Sequence, residues 1–391
     1  MNTRSPWIAP GWKCHGFHCR LAVEVLLAVV TLCAAPLVAQ AGVLGGLFGF
    51  GASSGKVAKL QFELTDDIAV TSLAWSPDGR YIAASSMESN WIHIWDLQRK
   101  TLSAKFQTES GTPEIHELSW SPKGHYLVAC DFHGQRRIYD TTHWTQAHVI
   151  APERDNCRAS EFSSDGLELA VLGAAVSVYD TNDWRLIRIL DLKSNWWGGR
   201  SVNSIAYVPG SHTLLLGGSD REESNKPFDH IGNIWVLKPT DSAPSRNFPA
   251  YLADRPNLTG GVVRMAVSPD GMRVATGTET GAGSYAPVKA SVHILRISDG
   301  ALLGKPLDGQ DFGDQRPGVQ FTPNGHWLLV AHGGIHVAHV IHLIDAGTLR
   351  VEDEVSAGHN TIYDLAIHPN STQFAVAAGN HIAIWSLPNK P

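Results

Sequence analysis

The chain has 391 residues, of which 43% are hydrophobic, with 37 Gly, 13 Trp and a formal net charge of −6. No run of Lys or Arg marks a stripe that could follow phosphates, so nucleic acid is not expected as a partner. Many Gly and Trp suit short twisted strands joined by tight turns, and no stretch is long enough for a coiled coil.

At the start of the chain, Arg4, Lys13 and Arg20 precede the apolar run Val25 to Ala35, and Ala39 and Ala41 follow. This charged, apolar, small-residue order is that of a secretory signal, so residues 1–41 are expected to be a signal peptide cleaved after Ala41. The apolar run, about eleven residues, falls short of the ~20 that cross a bilayer, although Pro36 to Ala41 could lengthen it into an uncleaved anchor. The expected location is periplasmic or secreted, with no transmembrane span after cleavage. Residues 42–56 read as a Gly-rich flexible tether. Loss of the leader removes Cys14, Cys19 and Cys33 and leaves Cys130 and Cys157 in an oxidising compartment. Two readings stay open for that pair: one disulfide, which needs Cα atoms within about 7 Å, or two separate small core residues.

From residue 57 onward one phrase recurs. Val57 to Leu64 is an isolated strand, and then come seven units, each with an apolar strand, a tight turn, a second strand and a third strand. The turns begin at Ser76, Ser121, Ser163, Val208, Ser268, Thr322 and His368, the fullest form being Ser76-Pro77-Asp78-Gly79, and lie 42 to 60 residues apart. Third strands end in Trp95-Asp96, Tyr139-Asp140, Tyr179-Asp180, Trp235-Val236, Leu295-Arg296, Ile344-Asp345 and Trp385-Ser386, with Ile94 and its equivalents apolar in every unit. An outer strand follows each of the first six units, at Leu102 to Gln107, Trp144 to Ile150, Trp184 to Leu190, Arg246 to Leu252, Ala301 to Leu307 and Leu349 to Val355. The seventh has none, and residues 57–64 are expected to supply it.

Strand-only units at this period predict an all-β fold, a seven-bladed β-propeller of four-stranded antiparallel blades over residues 57–390, its ring closed by strand 57–64 completing blade 7. Closure hides edge strands and ties the two ends of the domain together.

Trp95-Asp96, the variants Tyr139-Asp140 and Tyr179-Asp180, and the pair Gly358-His359 opening blade 7 resemble WD40 repeats over residues 57–390. The chain is also similar to exported bacterial propellers of the TolB and quinoprotein kinds. The resemblance implies a non-catalytic interaction platform, because WD40 motifs are structural and leave ligand choice to the loops.

Two candidate sites stand out. His332, His336 and His339 surround a short loop of blade 6 and could hold a transition metal. His342 instead shares its third-strand position with His93 and His293, which marks it as a packing residue, and Asp308, Asp311 and Asp314 read as a solvated acidic loop. The other candidate is a sector of long loops emerging on one face of blades 3–6. It carries Trp196, Trp197, Arg200, Arg221, Asp229, His230, Tyr251, Arg255 and Tyr285, the composition of a binding hot spot. The bland alternative is that Trp196 and Trp197 cap the seam between blades 3 and 4.

No dinucleotide glycine pattern, Walker loop or H-E-x-x-H occurs. The leading expectation is therefore an exported, non-enzymatic scaffold, monomeric and without cofactor, that binds a protein or cell-envelope component through these loops. The alternative is a propeller enzyme or small-ligand or metal-binding protein using the central funnel.

Overall fold

The computed structural model describes residues 55–108, 115–131, 133–150, 157–192, 201–221, 230–250, 260–280, 289–311, 318–334, 337–358 and 361–388. The first strand of the described residues is β1 (Lys59–Thr65), and blade 1 follows as β2 (Ser72–Trp75), β3 (Tyr81–Ser85), β4 (Trp91–Asp96) and β5 (Thr101–Gln107). Blade 2 is β6 (Ile115–Trp120), β7 (Tyr126–Asp131), β8 (Arg136–Asp140) and β9 (Thr145–Ile150). Blade 3 is β10 (Ala159–Phe162), β11 (Glu168–Leu172), β12 (Ala175–Asp180) and β13 (Leu186–Asp191). Blade 4 is β14 (Ser201–Tyr207), β15 (Leu214–Arg221), β16 (His230–Leu237) and β17 (Arg246–Pro249). Blade 5 is β18 (Gly260–Val267), β19 (Arg273–Thr280), β20 (Lys289–Arg296) and β21 (Leu302–Asp311). Blade 6 is β22 (Gly318–Phe321), β23 (Trp327–Gly334), β24 (Val337–Asp345) and β25 (Val351–Ser356), and blade 7 is β26 (Ile362–Ile367), β27 (Gln373–Ala378) and β28 (His381–Ser386).

Each blade is a four-stranded sheet in chain order, except that blade 7 runs β1-β28-β27-β26. β1 pairs antiparallel with β28 from Lys59↔Ser386 to Thr65↔His381, so the first strand completes the last blade as the repeat pattern predicts. It begins at Lys59 rather than Val57 because the preceding residues have another role. The backbone N–H groups of Lys56, Val57 and Ala58 all donate to the Asp353 carboxylate of β25, at 2.8, 2.6 and 2.8 Å. Asp353 thus clasps the entry of the ring to blade 6 while β1 itself belongs to blade 7. A Cβ on Gly55 would lie 2.3 Å from Asp353 Oδ2, so the clasp also requires glycine there.

The turn residues explain the blade spacing. Ser76 Oγ receives the Tyr81 N–H at 2.8 Å and bonds Asp78 Oδ1, while Gly79 takes φ 74°, where a Cβ is disfavoured. The same bonds recur around Ser163 and Thr322. At the third-strand end the Asp of the repeated dipeptide caps the next turn. Asp140 Oδ1 accepts from Thr142 and His143, and Asp345 Oδ1 from Gly347 and Thr348. The fourth residue after that Asp is left-handed: Lys100, Trp144, Trp184 and Leu349 have φ 55–59°. For this reason Trp144, Trp184 and Leu349 lie in turns before the outer strands, not in them. Blade 5, where Arg296 replaces Asp, has Gly300 at this position.

Apolar side chains form seven clusters, one at each seam between adjacent blades. Trp327, Phe374 and Trp385 fill the 6/7 seam, Trp235 the 3/4 seam, and Leu64 with Ile82 and Ile384 the 7/1 seam. Among the described residues no such cluster occupies the axis, which is lined by a polar channel. Cys130 and Cys157 are joined as a disulfide across the 2/3 seam, with Cα atoms 5.6 Å apart.

Candidate functional site

The channel wall is made by the innermost strand of each blade. Four residues before each turn, these strands place Ser72, Glu117, Ala159, Ser204, Arg264, Gly318 and Asp364 at one level around the axis. In blades 2, 4, 5 and 7 the inner strand skips one residue against its neighbour, at His116, Asn203, Val263 and Tyr363. A bulge of this kind re-aims a side chain, and here it brings both bulge and following residue to the channel wall. Two adjoining cavities of about 390 and 670 Å³ fill the channel. The larger includes Met87, from the β3–β4 connection, so it opens on the face carrying the second-to-third-strand loops.

Around most of the ring, channel side chains tie each blade to the next. Asp364 of blade 7 accepts the Leu73 N–H of blade 1 at 2.8 Å, and Ser72 of blade 1 accepts the Leu118 N–H of blade 2 at 3.1 Å. Glu117 of blade 2 accepts from Ser160 of blade 3 at 3.0 Å, and Glu161 of blade 3 from Tyr207 of blade 4 at 3.2 Å. These carboxylates occupy donors that an inner edge strand would otherwise leave open. Burial pushes Glu117 and Glu161 up to about 8, and raises Asp364 against the opposing pull of the Leu73 N–H and Arg264.

Blades 5 to 7 differ. Arg264 is exposed in the channel, Gln320 lies below it on blade 6 and Tyr363 stands at the mouth with 44% exposure. None of the three side chains makes a hydrogen bond among the described residues.

The loop face is uneven. In blades 4, 5 and 6 the second and third strands have eight or nine residues each, against five or six in blades 1, 2, 3 and 7. The extra pairs, such as Ser219↔Gly232 to Arg221↔His230 and Thr278↔Ser291 to Thr280↔Lys289, lie at the loop end of each hairpin. At ~3.3 Å per residue, two or three added residues raise these hairpins by roughly 7–10 Å.

Of the residues nominated for partner binding, Arg221 and His230 sit opposite one another at the tip of the β15–β16 hairpin. Trp196, Trp197, Arg200, Asp229, Tyr251, Arg255 and Tyr285 lie outside the described residues. Of the nominated metal ligands, His332 is on β23 and His339 on β24, both buried, and His336 lies outside the described residues. The nearest imidazole is that of His342, whose Nε2 is 2.7 Å from His332 Nε2, with the rings stacked at 18°. Burial, with His342 and His339 beside it, pushes His332 down to about 3, so the pair is neutral and one ring N–H donates to the other's lone pair. Asp308, expected in a loop, is in β21 and accepts from Ser291 Oγ at 3.1 Å.

Asp66, Asp67 and His93 also bring ligand-type atoms within 4.8 Å of one another. Asp66 is fully committed there, to His93 Nδ1 at 2.6 Å and to Trp95 Nε1 at 2.7 Å, while Asp67 pairs with Lys105 at 3.3 Å. This network ties Trp95 to the residue that follows the closing strand β1.

The channel residues were not singled out from the sequence. Superposing the units on their turns exposes them, because Glu117, Arg264 and Asp364 are the charged residues in a register otherwise held by Ser, Ala and Gly.

Seven four-stranded antiparallel blades around a polar axis define a closed β-propeller. Residues 58–96 and 353–386 match the WD40 family, described as WD domain, G-beta repeat. The two stretches take in β1 to β4 and β26 to β28, the segments that meet where the ring closes. The chain is similar to the periodic tryptophan protein 2 homolog of Dictyostelium discoideum, at 22% identity over 166 residues. That alignment covers 38% of this chain and 18% of the relative. Together the ring and the matched repeats support a WD40 β-propeller.

Proposed function

We propose that the protein is an exported, non-catalytic interaction module whose partner, a protein or cell-envelope component, docks on the loop face over blades 3–6. WD40 propellers are typically protein-interaction modules, and the observation that carries the docking face is the lengthening of three adjacent hairpins. Extra strand pairs in blades 4, 5 and 6 extend paired backbone toward this face, and a rigid base lowers the ordering cost of binding. The sequence between blades 3 and 4 carries Trp196, Trp197 and Arg200, and Trp and Arg are residue types that dominate binding energy when they are buried by a partner. Export is supported by the order of residues 1–41 and by the buried Cys130–Cys157 disulfide, a bond that persists in oxidising compartments.

The test is crosslinking and capture of partners by the native chain and by a Trp196→Ala/Trp197→Ala double variant. The variant is expected to keep its melting temperature and lose the captured partner. An unchanged captured set removes this face as the docking surface. Cell fractionation with sequencing of the mature N-terminus tests export, with Gly42 expected first.

A further inference from the structure

The polar lining of the channel divides into two arcs with different duties. From blade 7 through blades 1, 2 and 3, Asp364, Ser72, Glu117 and Glu161 are each committed to a backbone N–H of the following blade. On blades 5 to 7, Arg264, Gln320 and Tyr363 offer a guanidinium, an amide and a phenol, and none makes a hydrogen bond among the described residues. Between Arg264 and Asp364, at the same level, stands Gly318, which leaves a notch in the wall beside the guanidinium. A Cβ there would meet only Ala331, at 3.8 Å in ordinary contact, so packing does not demand glycine. A guanidinium facing the channel presents a fork of N–H donors, and its geometry suits two oxygens of one planar or tetrahedral group.

We propose that the channel binds an oxyanion, a carboxylate or phosphate group that enters from the loop face and lodges in the Gly318 notch against Arg264, with Gln320 and Tyr363 as further donors. The neighbouring carboxylates do not forbid this. Glu117 and Glu161 are held in their neutral form near pH 7 by burial, and Asp364 already accepts from Leu73 and Leu365. Arg158, at the mouth, adds a second positive charge on the entry side. The larger cavity, about 670 Å³, accommodates a small organic acid or phosphate with bound water.

Calorimetric titration of the mature protein at pH 7 with inorganic phosphate and, separately, with succinate tests the site and distinguishes the two sources. At least one anion is expected to bind saturably at one site per chain. Arg264→Gln is expected to weaken that binding about tenfold or more, and Arg99→Gln, on an outer turn, to leave it unchanged. Gly318→Val fills the notch while leaving Arg264 in place and is expected to weaken binding as well, which keeps the test decisive if Arg264→Gln misfolds. Absence of saturable binding by either anion, or equal binding by native protein and Gly318→Val, overturns the site. The outcome is independent of partner capture on the loop face, so failure of one reading leaves the other standing.

Discussion

Asp353 shows how much one side chain can hold in this ring. Its carboxylate receives three consecutive N–H groups, and against the opposing effect of burial those bonds hold its pKa below the usual carboxylate range. Asp353→Ala would leave those donors without an acceptor, including that of the buried Ala58, and is expected to cost about 1–3 kcal/mol in urea denaturation. Glu117 illustrates the opposite shift. Its folded value, about 8, is above its unfolded one, so the native state holds a proton that the unfolded chain releases. Stability from this group is full below about pH 4.5 and is lost as pH rises towards 8. Glu161 behaves alike, while Asp364 and Arg264 face the same space. Glu117→Gln keeps an acceptor for Ser160 and removes the charge. The variant is expected to raise the melting temperature relative to native protein at pH 8.5 and to leave it nearly unchanged at pH 4.5. Equal curves at both pH values would mean that burial does not raise the Glu117 carboxyl in the native channel.

Among the elements, the decisive contrast is between the short hairpins of blades 1 to 3 and the tall ones of blades 4 to 6. Blades 2 and 3, which lack the extra strand pairs, are instead tied by Cys130 and Cys157, a link that closes 27 residues of chain. On chain entropy alone such a loop contributes about 3–4 kcal/mol. Cys130→Ser with Cys157→Ser is expected to lower unfolding stability by an amount of that order, as is reduction of the native protein. The repeated dipeptide also acts at this scale, since its Asp caps the turn that hands the third strand to the outer one. Where blade 5 substitutes Arg296, the turn is retained by Gly300 and by Asp299, which accepts from Ala301 at 3.0 Å. Local hydrogen bonding explains why an irregular repeat still yields a regular blade.

At the scale of the whole molecule, stability resides in seven seams and in the sheet where both ends of the chain meet. Deleting residues 57–64 would bare the edge of β28 and remove the Val57 and Ala58 donors from Asp353. A fall in melting temperature of at least about 10 °C, with aggregation, is expected, and a truncated protein with an unaltered melting profile would show that the seams alone hold the ring. The blade number, the turns and the closing strand were legible in the chain because each rests on contacts within one unit or on a strand left over at the start. Gly79, Asp78 and Asp96 act on neighbours a few residues away, so they leave a periodic mark. What the channel holds together was not legible in that way. Glu117 and Ser160, Asp364 and Leu73, Arg264 and Gly318 are far apart in the chain and become neighbours only when seven inner strands converge on one axis. Their partners are set by that convergence and by the bulges that turn them inward, whereas the fold follows from local repetition.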